Sequence, residues 1–168
     1  MNSIARFEKV SFGQFQKDSG KNLPWLSEEE VKEAYERIAL PKRASVSSAG
    51  YDFVTPYKFS LKENEMILLP SGIRANIDSA FVLTIVPRSS LGVKYRLMLA
   101  NTVGIIDADY YGAANEGHIQ IALVNRGTAE VTLEAGERIV QGIFLPYFTA
   151  EEETVADIRT GGFGSSGK

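Results

Sequence analysis

The sequence predicts an all-β domain preceded by one short helix. From Tyr51 onward, short apolar runs rich in β-branched residues alternate with turn residues, which is typical of many short strands. Glycines punctuate these runs, and strands so closely spaced favour a sandwich or barrel over alternating strands and helices. The predicted strands are Met66–Leu69, Ile73–Ile77, Phe81–Val86, Ile119–Val124, Val131–Leu133 and Ile139–Phe144.

Residues 1–40 are predicted to form an N-terminal extension of a strand and a helix. The stretch from Ala5 to Phe12 indicates an edge strand. Ser27 and Glu30 have the spacing of a capping box, and apolar residues then recur at helical intervals until Pro41 ends the element. We expect this helix to cover a sheet edge or a subunit contact.

Composition excludes several classes of protein. The 168 residues suffice for one domain, and the net charge of −3 provides no basic field for nucleic acid or an anionic membrane. The chain has no cysteine, which excludes disulfides and thiolate chemistry, and its single histidine, His118, is expected to be structural or superficial. Neither a signal peptide nor a membrane-spanning run is evident, so we expect a cytoplasmic protein.

A basic, hydroxyl-rich segment, Pro87–Gly92, is the first candidate for chemistry. The guanidinium of Arg88 suits phosphate oxygens. Ser89 and Ser90 would offer hydroxyls beside backbone N–H groups if a helix starts there. The alternative, favoured by this segment alone, is an ordinary cap by Ser89 or Ser90 on a short helix within Ser90–Leu99.

The second candidate is the segment from Asn101 to Gly112. Asp107 follows an apolar run and could orient a water molecule and accept its proton. The amide of Asn101 carries a donor and an acceptor side by side, which suits a pyrimidine edge. The alternative is a turn in which Asp107 and Asp109 bond only to nearby backbone.

Two glycine-containing segments complete the candidates. Gly136–Gln141 is either a functional segment or simply a strand after a glycine turn. In the last ten residues, glycines would let backbone approach phosphate closely, and Arg159 and two serines add charge and hydroxyl donors. The alternative for this end of the chain is disorder.

Five segments in this order resemble the five ordered motifs of the trimeric dUTPases, over about residues 40–168. They are Ala49–Phe53, Pro87–Ser90, Gly104–Tyr110, Gly136–Gln141 and Gly161–Gly167. The resemblance implies a distorted jelly roll at residues 41–150 and a homotrimer with active sites between subunits. It also implies a flexible arm, residues 151–168, that closes over a neighbouring site.

The resemblance further implies hydrolysis of dUTP to dUMP and pyrophosphate, a reaction that keeps uracil out of DNA. Asp107 would activate the attacking water, and Mg²⁺ would arrive mainly on the triphosphate. Asp52 would act on that ion through water or hold Arg88, and both readings stay open. The substrate-binding residues implied are Arg88, Ser89, Ser90 and Gln141 for phosphate, Asn101, Gly104, Ile105, Ile106, Gln120 and Phe163 for uracil, Tyr110 for deoxyribose, and Arg159, Gly164, Ser165 and Ser166 for closure over the triphosphate.

The chain departs from the commonest family pattern in two places. Residues 112–118 form a longer hairpin, which resembles a bacterial and phage subgroup. The tail has one residue fewer between Arg159 and the glycine pair than many relatives.

Two alternative functions compete with dUTP hydrolysis. A dCTP deaminase shares the fold and the Arg-Ser-Ser segment but requires a glutamate where this chain has Ala122. A trimeric regulatory protein of the same fold is the other alternative, and the longer hairpin could serve an additional protein partner.

Overall fold

The computed structural model describes residues 3–151, which are built mainly of short antiparallel strands. The strands are β1 (Ala5–Lys9), β2 (Lys42–Arg43), β3 (Tyr51–Val54), β4 (Phe59–Leu61), β5 (Met66–Pro70), β6 (Ile73–Ile77), β7 (Phe81–Pro87), β8 (Leu97–Leu99), β9 (Gly104–Ile106), β10 (Gln120–Asn125), β11 (Val131–Leu133) and β12 (Arg138–Pro146). The predicted all-β, jelly-roll-like class is confirmed. All six strands predicted from the sequence are present, each within two residues of its expected ends.

Within residues 3–151 these strands form four small sheets. The largest has the order β2-β3-β12-β7-β9, the next has the order β5-β10-β8, and two pairs, β1-β6 and β11-β4, complete the set. Alternate side chains on β6 and β7 are buried, as expected for strands with one face on a core. Leu69, Leu83, Leu123 and Ile139 are among the most deeply buried side chains of that core.

The expectation of a single helix is wrong, because residues 3–151 contain three α-helices: α1 (Phe12–Asn22), α2 (Glu28–Arg37) and α3 (Ser89–Tyr95). The predicted helix is α2, and Ser27 and Glu30 form the expected capping box. The helix α1 was missed because it is largely polar and contains two glycines, which disfavour helix. Tertiary contacts stabilise it instead: Phe15 is fully buried and stacks on Tyr57 at 5.7 Å between ring centroids.

The ambiguous segment Ser90–Leu99 divides into helix and strand. The helix α3 covers its first part, and β8 covers its last three residues. The cap differs from the expectation, because Arg88 holds the N-cap position and makes no side-chain capping bond. Ser89 and Ser90 are therefore the first two residues of the helix, and both are exposed.

A buried polar bridge joins α1 to the rest of the fold. His118 is fully buried, and its Nε2 accepts a hydrogen bond from the Gly72 N–H at 2.8 Å. Its Nδ1 therefore carries the proton and donates to Asp18 Oδ2 at 2.6 Å. Burial alone would raise the pKa of Asp18, but hydrogen bonds from His118 and Gln14 outweigh it and hold that pKa below its ordinary value. His118 thus has a structural role.

We expect Asp18→Asn to lower the free energy of unfolding by about 1–2 kcal/mol at pH 7, because a neutral amide replaces a charged acceptor. The depressed pKa means that ionised Asp18 stabilises the fold above its ordinary pKa of 3.8. This contribution disappears as pH falls through the lower, folded-state pKa. Urea unfolding of both proteins at pH 7 and below pH 3.8 checks this, with the exposed Glu63→Gln as control. A deficit that does not shrink in acid would contradict the account.

None of the helices found within residues 3–151 has the length and apolar character needed to cross a membrane. The cytoplasmic location expected from the sequence stays a prediction.

Candidate functional site

A cavity of about 290 Å³ opens beside β9 and β10. Its wall combines backbone and side chains from β9, the residues that follow it and the start of β10. It is lined by Ile85, Leu99, Asn101, Val103, Gly104, Ile105, Ile106, Asp107, Tyr110, Ile119, Gln120, Ile121 and Ala122. The lining is largely apolar, with a few polar groups from Asn101, Asp107, Tyr110 and Gln120, which is the usual character of a small-molecule site.

The cavity brings together seven of the residues that the sequence analysis proposed. They are Asn101, Gly104, Ile105, Ile106, Asp107, Tyr110 and Gln120. Within the described part of the chain, they include every residue expected near uracil or deoxyribose. They also include Asp107, the residue expected to take the proton of the attacking water. Ala122, at which a deaminase would need a carboxylate, also lies in this wall.

Close packing against β7 sets the position of the cavity's β9 wall. Gly104 pairs with Ile85 of β7, and a Cβ on Gly104 would lie only 3.0 Å from the Ile85 Cβ. A larger residue would push β9 away from its neighbour. Asp107 follows β9 directly and precedes a 3₁₀ helix at Ala108–Gly112, so the strand end and the helix start together hold its backbone.

The longer hairpin expected at residues 112–118 is not formed, because β9 and β10 belong to different sheets and turns connect them. These turns fold back onto Tyr110. The Tyr110 hydroxyl donates to the His118 carbonyl at 2.9 Å and accepts from the Asn115 side-chain amide at 2.7 Å. Gly117 has a φ of +70°, and a Cβ there would lie 2.7 Å from the Tyr110 carbonyl oxygen. Only glycine fits this approach. The extra residues therefore support a cavity-lining side chain, a role that the sequence analysis did not find.

A second group of residues, the arginine cluster of Asp52, Arg88, Arg138 and Gln141, gathers where β12 lies between β3 and β7. Arg88 Nε donates to Asp52 Oδ1 at 3.0 Å, and Arg138 Nη1 donates to Asp52 Oδ2 at 3.2 Å. The Gln141 amide donates to the Pro87 carbonyl at 3.5 Å. Gly50 lies against the end of the Gln141 side chain, and a Cβ at residue 50 would displace that amide.

Arg138 belongs to this arginine cluster although it was not among the residues proposed from the sequence. It lies in the segment Gly136–Gln141, at the start of the strand that carries Gln141, a proposed phosphate ligand. A basic residue at that position could have indicated its role from the sequence. Its guanidinium is half exposed, whereas Asp52 is largely covered. The cluster therefore presents two cations around one carboxylate.

Asp107 and the arginine cluster lie near opposite ends of β7, and the cavity extends along this strand from Asp107 as far as Ile85. The register of β7 with β9 pairs Leu83 with Ile106, so Asp107 is level with Val82. Arg88 lies six residues after Val82, just beyond the other end of β7. At roughly 3.3 Å per residue, about 20 Å of strand separates the two backbone positions. One subunit therefore carries two separate groups of proposed site residues.

The remaining proposed residues, Arg159, Phe163, Gly164, Ser165 and Ser166, lie outside the described residues. Across residues 3–151, no three histidine, aspartate or glutamate side chains come together in a group that could hold a metal ion.

Known proteins resemble this chain in sequence and in fold. The family model described as dUTPase matches residues 36–167. The deoxyuridine 5'-triphosphate nucleotidohydrolase of Lactococcus lactis is 43% identical over 133 residues, covering 77% of this chain and 89% of that protein. The crystal structure of a dUTPase from Streptococcus mutans superposes with a TM-score of 0.66 at 34% identity, covering 86% of this chain and 98% of that one.

A dUTPase from phage phi11 of S. aureus shares the fold at 17% identity, with a TM-score of 0.65 over 93% of this chain and 98% of that one. That structure is of a point mutant of the phage enzyme and is described as showing how a structural Mg(II) ion is coordinated.

Proposed function

This chain belongs to the dUTPase family and hydrolyses dUTP, and we propose that it does so at sites formed between the subunits of a homotrimer. The separation of Asp107 from the arginine cluster carries this proposal. Asp107 in the cavity would direct water at the α-phosphorus. The groups that neutralise the charge of the triphosphate must lie within a few ångströms of its phosphate oxygens. An arginine about 20 Å along one strand cannot do so from the same subunit. The cavity of one subunit therefore faces the Arg88 of its neighbour.

An apolar sheet face supports assembly with further copies of the chain. Met66, Val124 and Met98 lie side by side across β5, β10 and β8, and Leu68 and Ala122 form the next row. Met66 is 64% exposed and Met98 is 43% exposed in the single chain. Two methionines exposed beside Leu68 and Val124 form a patch of the kind that subunit contacts cover.

The chemistry assigns one task to each group of residues. Asp107 orients a water molecule in line with the α-phosphorus and takes its proton as the new P–O bond forms. The bond from the α-phosphorus to the bridging oxygen breaks, and pyrophosphate leaves with the electron pair. Arg88 from the neighbouring subunit, with Ser89, Ser90 and Gln141, binds the phosphate oxygens, so positioning and charge neutralisation lower the barrier.

The base and sugar occupy the cavity. The amide of Asn101 and the backbone of Gly104–Ile106 pair with the uracil edge, and the ring of Tyr110 lies against the deoxyribose and leaves no room for a 2′-hydroxyl. Ala122 supports this reading over deamination, because its methyl group cannot shuttle protons at the pyrimidine C4. An additional protein partner for residues 112–118 stays a prediction.

Mg²⁺ is held mainly by the triphosphate of the substrate rather than by a set of protein carboxylates. Mg²⁺ keeps several waters and needs few protein carboxylates when a triphosphate supplies oxygens, which agrees with the lack of an acidic cluster in residues 3–151. When bound, the ion neutralises phosphate charge. Each Asp52 oxygen already accepts a hydrogen bond from an arginine, so we assign Asp52 to holding Arg88.

Asp52→Asn tests this assignment. Loss of the charge should loosen Arg88 and raise the KM for dUTP about tenfold, while the Mg²⁺ concentration that gives half-maximal rate stays as in the wild type. Pyrophosphate release at varied dUTP and varied Mg²⁺ measures both quantities, with the exposed Glu130→Gln as control. A raised Mg²⁺ requirement with unchanged KM would assign Asp52 to the metal instead.

A further inference from the structure

The last residue of α1 contacts the wall of the cavity. The side-chain amide of Asn22 donates to the Oε1 of Gln120 at 2.5 Å. Gln120 begins β10 and lines the cavity. A residue of the N-terminal extension therefore bonds to a polar group of the pocket although it does not line the cavity itself.

The helix that carries Asn22 is anchored at its start and middle. At its start, the N–H and hydroxyl of Ser11 both donate to the carboxylate of Glu116, at 2.8 and 2.6 Å. In its middle, Asp18 accepts from the buried His118. Both partners belong to the stretch that leads into β10, so helix and cavity wall form one connected unit. Asn22 is thereby held in place beside Gln120.

In this contact the carbonyl end of the Gln120 amide is engaged. A glutamine side chain has one carbonyl that accepts and one NH₂ that donates. The Asn22 NH₂ can pair only with the carbonyl, so the NH₂ of Gln120 is the end left for other partners. A donor in the wall suits the carbonyl oxygens of uracil, whereas the exocyclic amino group of cytosine would meet another donor.

We propose that Asn22 is a positioning residue that fixes the orientation of the Gln120 amide and thereby favours uracil over cytosine. The inference rests on the proposed binding of the base in this cavity. It gives the N-terminal extension a role in substrate choice, since α1 holds the group that orients Gln120. Asn22 acts through Gln120, and it has no part in holding the attacking water or Asp107.

Asn22→Asp provides the sharpest test, because a carboxylate can only accept. Gln120 would have to turn its NH₂ toward the new carboxylate and its carbonyl toward the cavity. We expect the ratio of kcat/KM for dUTP to that for dCTP to fall about tenfold, mainly through a higher KM for dUTP, with kcat for dUTP changed less than about twofold. Pyrophosphate release from each nucleotide measures these quantities.

Two controls separate this role from a general effect of charge or folding. Asn76→Asp makes the same change at an exposed position of β6 and should keep the wild-type ratio. Gln120→Ala should lower the ratio by itself, and adding Asn22→Asp to it should lower the ratio no further.

The outcomes distinguish this inference from the assignment of the cavity. If Gln120→Ala lowers the ratio and Asn22→Asp does not, the role of Asn22 is overturned and the base site stands. An equal fall caused by Asn22→Asp in the Gln120→Ala background would also overturn it, because Asn22 would then act elsewhere. If neither Gln120→Ala nor Asp107→Asn alters dUTP turnover, the cavity is not the base site and both proposals fail.

Discussion

Asp107→Asn should lower kcat for dUTP by about 10²–10⁴-fold and leave KM within a few-fold of the wild-type value. Asparagine keeps the size of the side chain and can still hold a water molecule by a hydrogen bond. It cannot take the proton that the water must lose as it attacks the α-phosphorus. Binding of the base and phosphates depends on other residues and should persist.

Steady-state pyrophosphate release measures the loss of turnover, and calorimetric titration of the inactive variant with dUTP measures binding. The matched control is Asp109→Asn, two residues further on in the exposed first turn of the 3₁₀ helix. This variant should keep most of the wild-type rate. Undiminished turnover by Asp107→Asn, or an equal loss in Asp109→Asn, would remove Asp107 from its role as the base.

Much of this molecule could be predicted from local patterns. The run Ile73–Ile77 alternates buried and more exposed residues and forms a strand with the predicted bounds. Ser27 and Glu30 cap α2 as their spacing indicates. Asn101, Asp107 and Tyr110 come together at one cavity because strand β9 and the 3₁₀ helix are close in sequence to all three.

What could not be predicted depends on contacts between distant parts of the chain. The helix α1 has weak local propensity and is stabilised by Phe15 and by an Asp18–His118 bond that joins residues 100 positions apart. The support that residues 112–118 give Tyr110 requires a turn in which both Glu116 and Gly117 have positive φ. Neither contact has a signature in the sequence alone.

The distance between the two groups of site residues also required the structure. The sequence places Arg88 and Asp107 in adjacent motifs, which gives no indication that they lie far apart. The register between β7 and β9 shows that Arg88 and Asp107 are at opposite ends of one strand. That separation is the physical reason for proposing a site shared between subunits.

Mixing two inactive variants should restore activity, and this is the most direct test of the shared site. Arg88→Ala alone should lose most turnover, because the neighbouring cavity loses its phosphate ligand. Asp107→Asn alone loses the base. In a mixed trimer, a cavity from an Arg88→Ala subunit can face the intact Arg88 of an Asp107→Asn subunit, and that site is complete.

The two variants are unfolded in urea together at equal concentrations and refolded, and each variant and the wild type are refolded separately as controls. In randomly assembled trimers, half of the sites have an intact Asp107 from one subunit. Independently, half of the sites have an intact Arg88 from the neighbouring subunit. The refolded mixture should therefore recover about a quarter of the wild-type rate of dUTP hydrolysis. A mixture no more active than the two variants refolded alone, although size-exclusion chromatography shows mixed trimers, would contradict a site shared between subunits.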